Sequence, residues 1–268
     1  MPQGDIADDP VALRSDRMCR FFTGVMRRQM MRGFRAVRLL KPGLPDLPED
    51  APVVVYSNHP GWWDPVFYIV LQRTFFADRE GYGPMEAEAL ERYGFMKRIG
   101  IFGVDAETRA GAARFLRVGT HILSDPKRMV WMTAQGRFAD PRARPVAMRP
   151  GLSHLMARLE GAVALPLAME YPFWSEKRPE ALAAFGTPVR IGGNAKAWQA
   201  ALEDALTETQ DRLAAAAIAR DPAAFYRVIG GRSGVGGIYG MWSRGRAWIG
   251  GHRYQSDHLS DDTTDTTN

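Results

Sequence analysis

The stretch 53-VVVYSNHPGWWDP-65 decides how the chain is read. Residues 53–56 are β-branched or aromatic and read as a strand. Asp64 with Pro65 reads as a helix start, because a carboxylate at the cap and a proline at the first helical position both suit one. His59 therefore ends an apolar strand, and Asp64 follows one short turn later. Open α/β sheets place their sites at the carboxyl ends of strands. An imidazole accepts a proton near neutral pH when one ring nitrogen is free. A carboxylate on the other nitrogen fixes the tautomer and stabilises the imidazolium. The bland alternative is an ordinary strand-to-helix connection in which Asp64 is only a cap. Trp62 and Trp63 fit either a surface loop beside a site or plain core packing.

Outward from this stretch, the pattern alternates as α/β domains do. Strands are expected at 100–104, 128–133, 162–171 and 187–192. Helices are expected at 64–74, 85–99, 107–123, 151–160, 195–219 and 222–229. Upstream, 11–41 reads as one long amphipathic helix. Met18, Phe22, Val25, Met26, Met30, Phe34, Val37 and Leu40 fall on one side, and most of its arginines fall on the other. From Arg14 to Lys41 there are nine basic residues and one acid. Such a helix suits an anionic lipid interface, though the same face could simply pack on the domain. The expected organisation is a disordered 1–10, the basic helix 11–41, an α/β domain over 42–229, and a Gly- and aromatic-rich 230–268 with a disordered acidic tail. The fold class is α/β, with a mixed, largely parallel sheet flanked by helices and an N-terminal amphipathic segment that docks on membrane.

Composition narrows the classes. The chain has 268 residues, 46% apolar and 24% charged, with a net charge of +5. That is ordinary for a globular protein, and the basic balance favours anionic partners. Thirty of its 35 basic residues are arginine. Cys19 is the single cysteine, so neither an internal disulfide nor a Cys-rich zinc site can form. The polar, acidic start reads as no secretory signal, and no run reaches the length of a membrane span. The other histidines show no metal-ligand spacing. There is no G-x-S-x-G elbow, no P-loop and no recognisable nucleic-acid module.

The block "NHPGWWDP" resembles the N-H-x-x-x-x-D motif of the PlsC-like glycerolipid and lysophospholipid acyltransferase family. Three further stretches are similar to that family's later blocks, in order: "GIFGVD" (100–105), "WMTAQGRF" (131–138) and "VALPLAMEY" (163–171). The resemblance covers residues 53–171. It implies transfer of an acyl group from acyl-CoA or acyl carrier protein to a lipid hydroxyl, with no metal or cofactor and no nucleic-acid partner. His59 would be the general base and Asp64 its orienting carboxylate. Asn58, Trp62, Trp63, Arg109, Gln135, Gly136, Arg137 and Pro166 would bind substrate, with backbone N–H groups near Gly136 facing the oxyanion. A cytoplasmic protein, peripheral on the inner face of an anionic membrane, is the matching expectation. The chain departs from the family where an arginine usually follows the second block (Asp105-Ala106 here) and where Gln135 replaces a glutamate. Arg137, Arg142 and Arg144 could hold an acceptor phosphate, but out of the family's register. The acceptor could be a lysolipid, a glycolipid or a hydroxylated isoprenoid. A thioesterase with water as acceptor, or a non-catalytic lipid-binding protein, are the alternatives.

Overall fold

The computed structural model describes residues 8–230. Among them, β1 (Ala36–Leu40), β2 (Val53–Ser57), β3 (Glu80–Glu86), β4 (Ile101–Val104), β5 (Arg128–Thr133), β6 (Val163–Glu170), β7 (Ala181–Phe185) and β8 (Phe225–Gly230) make one sheet. Its order is β4-β3-β5-β2-β6-β7-β1-β8. The first five in that order run parallel to their neighbours. β7 is antiparallel to β6, β1 parallel to β7, and β8 antiparallel to β1. The sheet is thus mixed and mostly parallel.

The helices are α1 (Pro10–Leu13), α2 (Asp16–Gly33), α3 (Asp64–Phe75), α4 (Ala87–Arg92), α5 (Arg109–Ile122), α6 (Gly151–Met156) and α7 (Ala195–Ala219). β2 lies deep in the sheet, and residues 53–57 are fully buried, which is why they read as an unbroken apolar run. Val53 and Val55 face α2 and α3, with Met30, Phe67 and Leu71. Val54 and Tyr56 face α5, α6 and α7, with Ile122, Leu155 and Leu202.

The long helix expected over 11–41 is corrected. Helix α2 stops at Gly33, and 36–40 is a sheet strand instead. Val37 and Leu40 keep helical spacing, but Val37 and Leu39 also alternate as a strand requires, and the slot between β7 and β8 decides. Arg35 and Arg38 are consequently buried, not solvated. Arg38 Nε donates to Glu180 Oε2 at 2.9 Å, and its guanidinium lies 5.7 Å from the Trp174 ring. On α2 itself, Arg17, Arg20, Arg27, Arg28 and Arg32 are exposed, while the opposite side lies on α3 and the 94–99 turn. The α/β unit therefore begins before residue 42.

Other boundaries also move. The helix expected at 85–99 becomes the end of β3, then α4 and a 3-10 turn, Gly94–Ile99. The strand expected at 187–192 is reduced to one bridge, Ala164 with Val189. The helix expected at 222–229 is a 3-10 turn, Pro222–Ala224, followed by β8. No described helix is long and apolar enough to cross a membrane. The disorder expected over 1–10 falls mostly on residues 1–7, outside the described residues, as does the Gly-rich segment past Gly230. Asp9, which is described, caps α1 through Val11 N–H and lies 3.3 Å from His121 Nε2.

Candidate active site

The site is built where β2 leaves the sheet. Ser57 is paired with Thr133 of β5 and Leu167 of β6, so the strand end is fixed from both sides. Asn58 then turns its amide sideways. Its Nδ2 donates to the Met169 carbonyl at 2.9 Å, and its Oδ1 accepts from Met169 N–H at 2.8 Å. Next, His59 is clamped by its own backbone. Its N–H donates to Gln135 Oε1 at 3.1 Å, and its carbonyl accepts from Ala139 N–H at 3.0 Å. The imidazole is thus carried on a turn tied to two neighbouring strands, not on a free loop.

Asp64 opens α3 and is fully buried. Its Oδ2 lies 2.5 Å from His59 Nδ1 and also accepts from Gly61 N–H at 3.2 Å. Its Oδ1 accepts the Tyr171 hydroxyl at 2.6 Å. Both oxygens are therefore held, which fixes the direction of the His59 ring. Burial, and then the adjacent Asp64 carboxylate, push the Tyr171 phenol well above its ordinary value, so it stays a donor at neutral pH. His59 Nε2 has no hydrogen-bond partner among the described residues. The ring is 19% exposed and packs 4.4 Å from the Phe138 ring.

A cavity of about 1960 Å³ opens at His59. Trp62, Gly136, Phe138 and Arg149 line it at the carboxyl rim. It continues between α3 and β3, under Phe22 and Met26 of α2, to Arg14 and Glu80 at the amino end of β3. Ligand pockets for small molecules are usually ~300–1,000 Å³, so this one suits something longer.

The expected binding residues divide. His59, Trp62 and Gly136 line the cavity. Gly136 has φ +64, a left-handed turn, and its Cα stands beside the Arg149 stem. Gln135 acts on the His59 backbone. Five others do not line it. Asn58 spends its amide on Met169, so it shapes the turn and is not free for substrate. Trp63 turns inward onto Phe34, at 5.0 Å edge to face, and against Gly33, so it locks the end of α2. Pro166 is buried in β6 opposite Tyr56, on the α7 face. Arg109 and Arg137 are exposed and are not among the cavity-lining residues.

Arg142 pairs with Glu170 at 3.0 Å, and Arg144 pairs with Asp211. At the His59 end the arginine on the cavity wall is Arg149, which reaches Glu107 Oε1 at 2.7 Å and the Ala106 carbonyl at 3.3 Å, while Arg14, Arg20, Arg27, Arg73 and Arg79 also line the cavity. No spacing in the sequence marked Arg149 or Tyr171, since each meets the site only through the packing of separate segments. Tyr68, whose hydroxyl meets Ser57 Oγ beneath the turn, was equally unmarked.

Chemically, the arrangement is an oriented imidazole with one nitrogen toward a long, largely apolar cavity. It can remove a proton from a bound hydroxyl or water. No protein-family model matches the chain, and no curated protein matches it in sequence.

Proposed function

We propose that the protein is an O-acyltransferase of the PlsC-like type. It moves a fatty acyl group from the thioester of acyl-CoA or acyl carrier protein to a lipid hydroxyl. The observation that carries this reading is the His59–Asp64 contact of 2.5 Å at the mouth of a cavity of about 1960 Å³. The acceptor hydroxyl attacks the thioester carbonyl as His59 Nε2 takes its proton. Asp64, held by Tyr171 and Gly61, supports the imidazolium. The Gly136 N–H, without a partner among the described residues, is the donor this reading assigns to the oxyanion. When the C–S bond breaks, the thiolate takes the proton back from His59. The apolar length of the cavity receives the acyl chain.

Arg149 is engaged by Glu107, and Arg137 lies off the cavity. A thioester assay with lipid acceptors tests the proposal. His59→Ala is expected to lower turnover by roughly 10²–10⁴-fold with folding unchanged. Asp64→Asn is expected to lower it through lost orientation. Wild-type turnover in His59→Ala rejects His59 as base. Thioester loss without acylated lipid redirects the reading to a thioesterase.

A further inference from the structure

The most exposed large apolar side chains among the described residues are Phe21, Trp62, Phe138, Phe173 and Ile218. Apolar groups scattered singly on a surface need no explanation. Of these five, only Trp62 and Phe138 line the His59 cavity. Phe138 goes further. Its ring centroid stands 4.4 Å from that of the imidazole, with the two planes at 51°. The residue is 63% exposed, so it adds little to the core, and its place beside the base is what needs a reason.

The chain holds Phe138 there from both sides. Gln135 Oε1 accepts the His59 N–H at 3.1 Å, and Ala139 N–H donates to the His59 carbonyl at 3.0 Å. Residues 135 and 139 are thus tied to one backbone position, and Phe138 lies on the short span between them. Farther along the loop, Gln210 Nε2 donates to the Pro141 carbonyl at 2.6 Å, and Arg142 pairs with buried Glu170 at 3.0 Å. The polar side chains of the loop are engaged elsewhere. Gln135 holds the His59 backbone, Asp140 accepts the Arg142 N–H, and Arg144 pairs with Asp211. Arg137 is exposed and off the cavity. What the loop sets against the imidazole is an apolar ring.

His59 Nε2 activates whichever hydroxyl reaches it. Attack by an alcohol forms an ester C–O bond and breaks the thioester C–S bond. Attack by water breaks the same bond and forms a carboxylic acid. In both cases the proton taken by His59 passes to the departing thiolate, and the donor is consumed. The two outcomes therefore separate on which O–H meets the imidazole, and an apolar cover that excludes water decides it. We propose that Phe138 sets alcohol against water at this site. Its ring keeps bulk water off His59, while an acceptor that brings its own apolar body packs along the ring and presents its hydroxyl to Nε2. Phe138 is a specificity-determining residue that meets the imidazole, and it carries no proton. The proposal rests on the transferase reading for its consequence, but the shielding of His59 can be measured without turnover.

Palmitoyl-CoA with a panel of lysolipids tests it, with acylated lipid and free acid both counted by mass spectrometry. Phe138→Ala is expected to raise the ratio of free acid to acylated lipid by about ten-fold. Phe138→Leu, which keeps an apolar cover, is expected to stay near wild type. Phe173→Ala, at a residue 62% exposed but off the cavity, is expected to leave the ratio unchanged. The second arm labels the full chain with diethyl pyrocarbonate, which carbethoxylates accessible neutral imidazoles. His121, 21% exposed against 19% for His59, is the internal reference. Phe138→Ala is expected to speed labelling of His59 several-fold and to leave His121 as in wild type. The proposal is overturned if His59 labels at the wild-type rate in Phe138→Ala. It is overturned too if that variant raises the acceptor KM without faster hydrolysis, since the ring then only grips the acceptor. Faster His59 labelling in a protein inert toward every thioester keeps the shield and removes the transferase reading.

Discussion

At the scale of single residues, Asp64 has every oxygen committed, and Tyr171 is the partner that the motif alone does not name. Tyr171→Phe removes a donor from a fully buried carboxylate. Leaving such an acceptor unsatisfied costs about 1–3 kcal/mol. The variant is expected to unfold at lower urea and to lose about ten-fold in kcat with KM little changed, because the ring steers His59 and touches no substrate. A kcat equal to wild type would make Tyr171 a structural hydroxyl only. His59, Asp64 and Trp62 were legible because they sit together in thirteen consecutive residues. Asn58 and Trp63 belong to the same stretch, yet they turn away from the site. A short motif gives the order of residues along a turn but not which way each side chain leaves it.

At the scale of elements, β1 is the informative strand. It carries Arg38 into a fully buried pairing with Glu180 of the segment leading into β7. Removing one member of a buried ion pair typically costs about 3–5 kcal/mol. Arg38→Ala is expected to lose stability on that scale in urea denaturation, far more than Arg28→Ala on the exposed face of α2. Equal losses would show that burial is not what makes Arg38 matter. The burial also governs how α2 can be probed. A deletion that runs past residue 35 removes a sheet strand held between β7 and β8 along with the helix, so only deletions ending before Phe34 report on α2.

The elements that were legible share a cause. Strands β2, β5 and β6 are rich in valine, methionine and leucine and buried on both faces, and α7 is a long alanine-rich run capped by Asn194. The missed ones owe their form to neighbours. Strand β3 reads "EGYGPME", with two glycines and a proline, and is held only because β4 and β5 flank it. Strand β7 reads "ALAAF", which favours helix locally but slots between β6 and β1. Strand β8 needs β1 as its template. In each case tertiary pairing overrides local propensity.

At the scale of the whole molecule, the buried Tyr56, Tyr68 and Tyr82 and the half-buried Tyr171 set the alkaline limit. Tyr56 donates to the Leu202 carbonyl, Tyr82 to Glu80 and Tyr171 to Asp64, and Tyr68 meets Ser57. Burial pushes all four phenols above their ordinary value. The folded protein therefore keeps protons that the unfolded chain releases near pH ~10. Above that pH the unfolded state binds fewer protons than the folded one, so stability falls as pH rises. Below it, this contribution is fully present. Urea midpoints measured from about pH 8 to pH 11 are expected to drop steeply past pH ~10. A flat profile would contradict the sealed environment of these rings.

The pairing of β1 with β8 joins the first and last strands of the described residues, Ala36 beside Gly230. During synthesis, Arg38 emerges 142 residues ahead of Glu180. Its strand has no sheet to enter until both β7 and β8 have left the ribosome. The first strand to appear is thus among the last to find its place. An apolar, cationic nascent strand therefore waits unpaired for most of translation, the interval in which chaperones act.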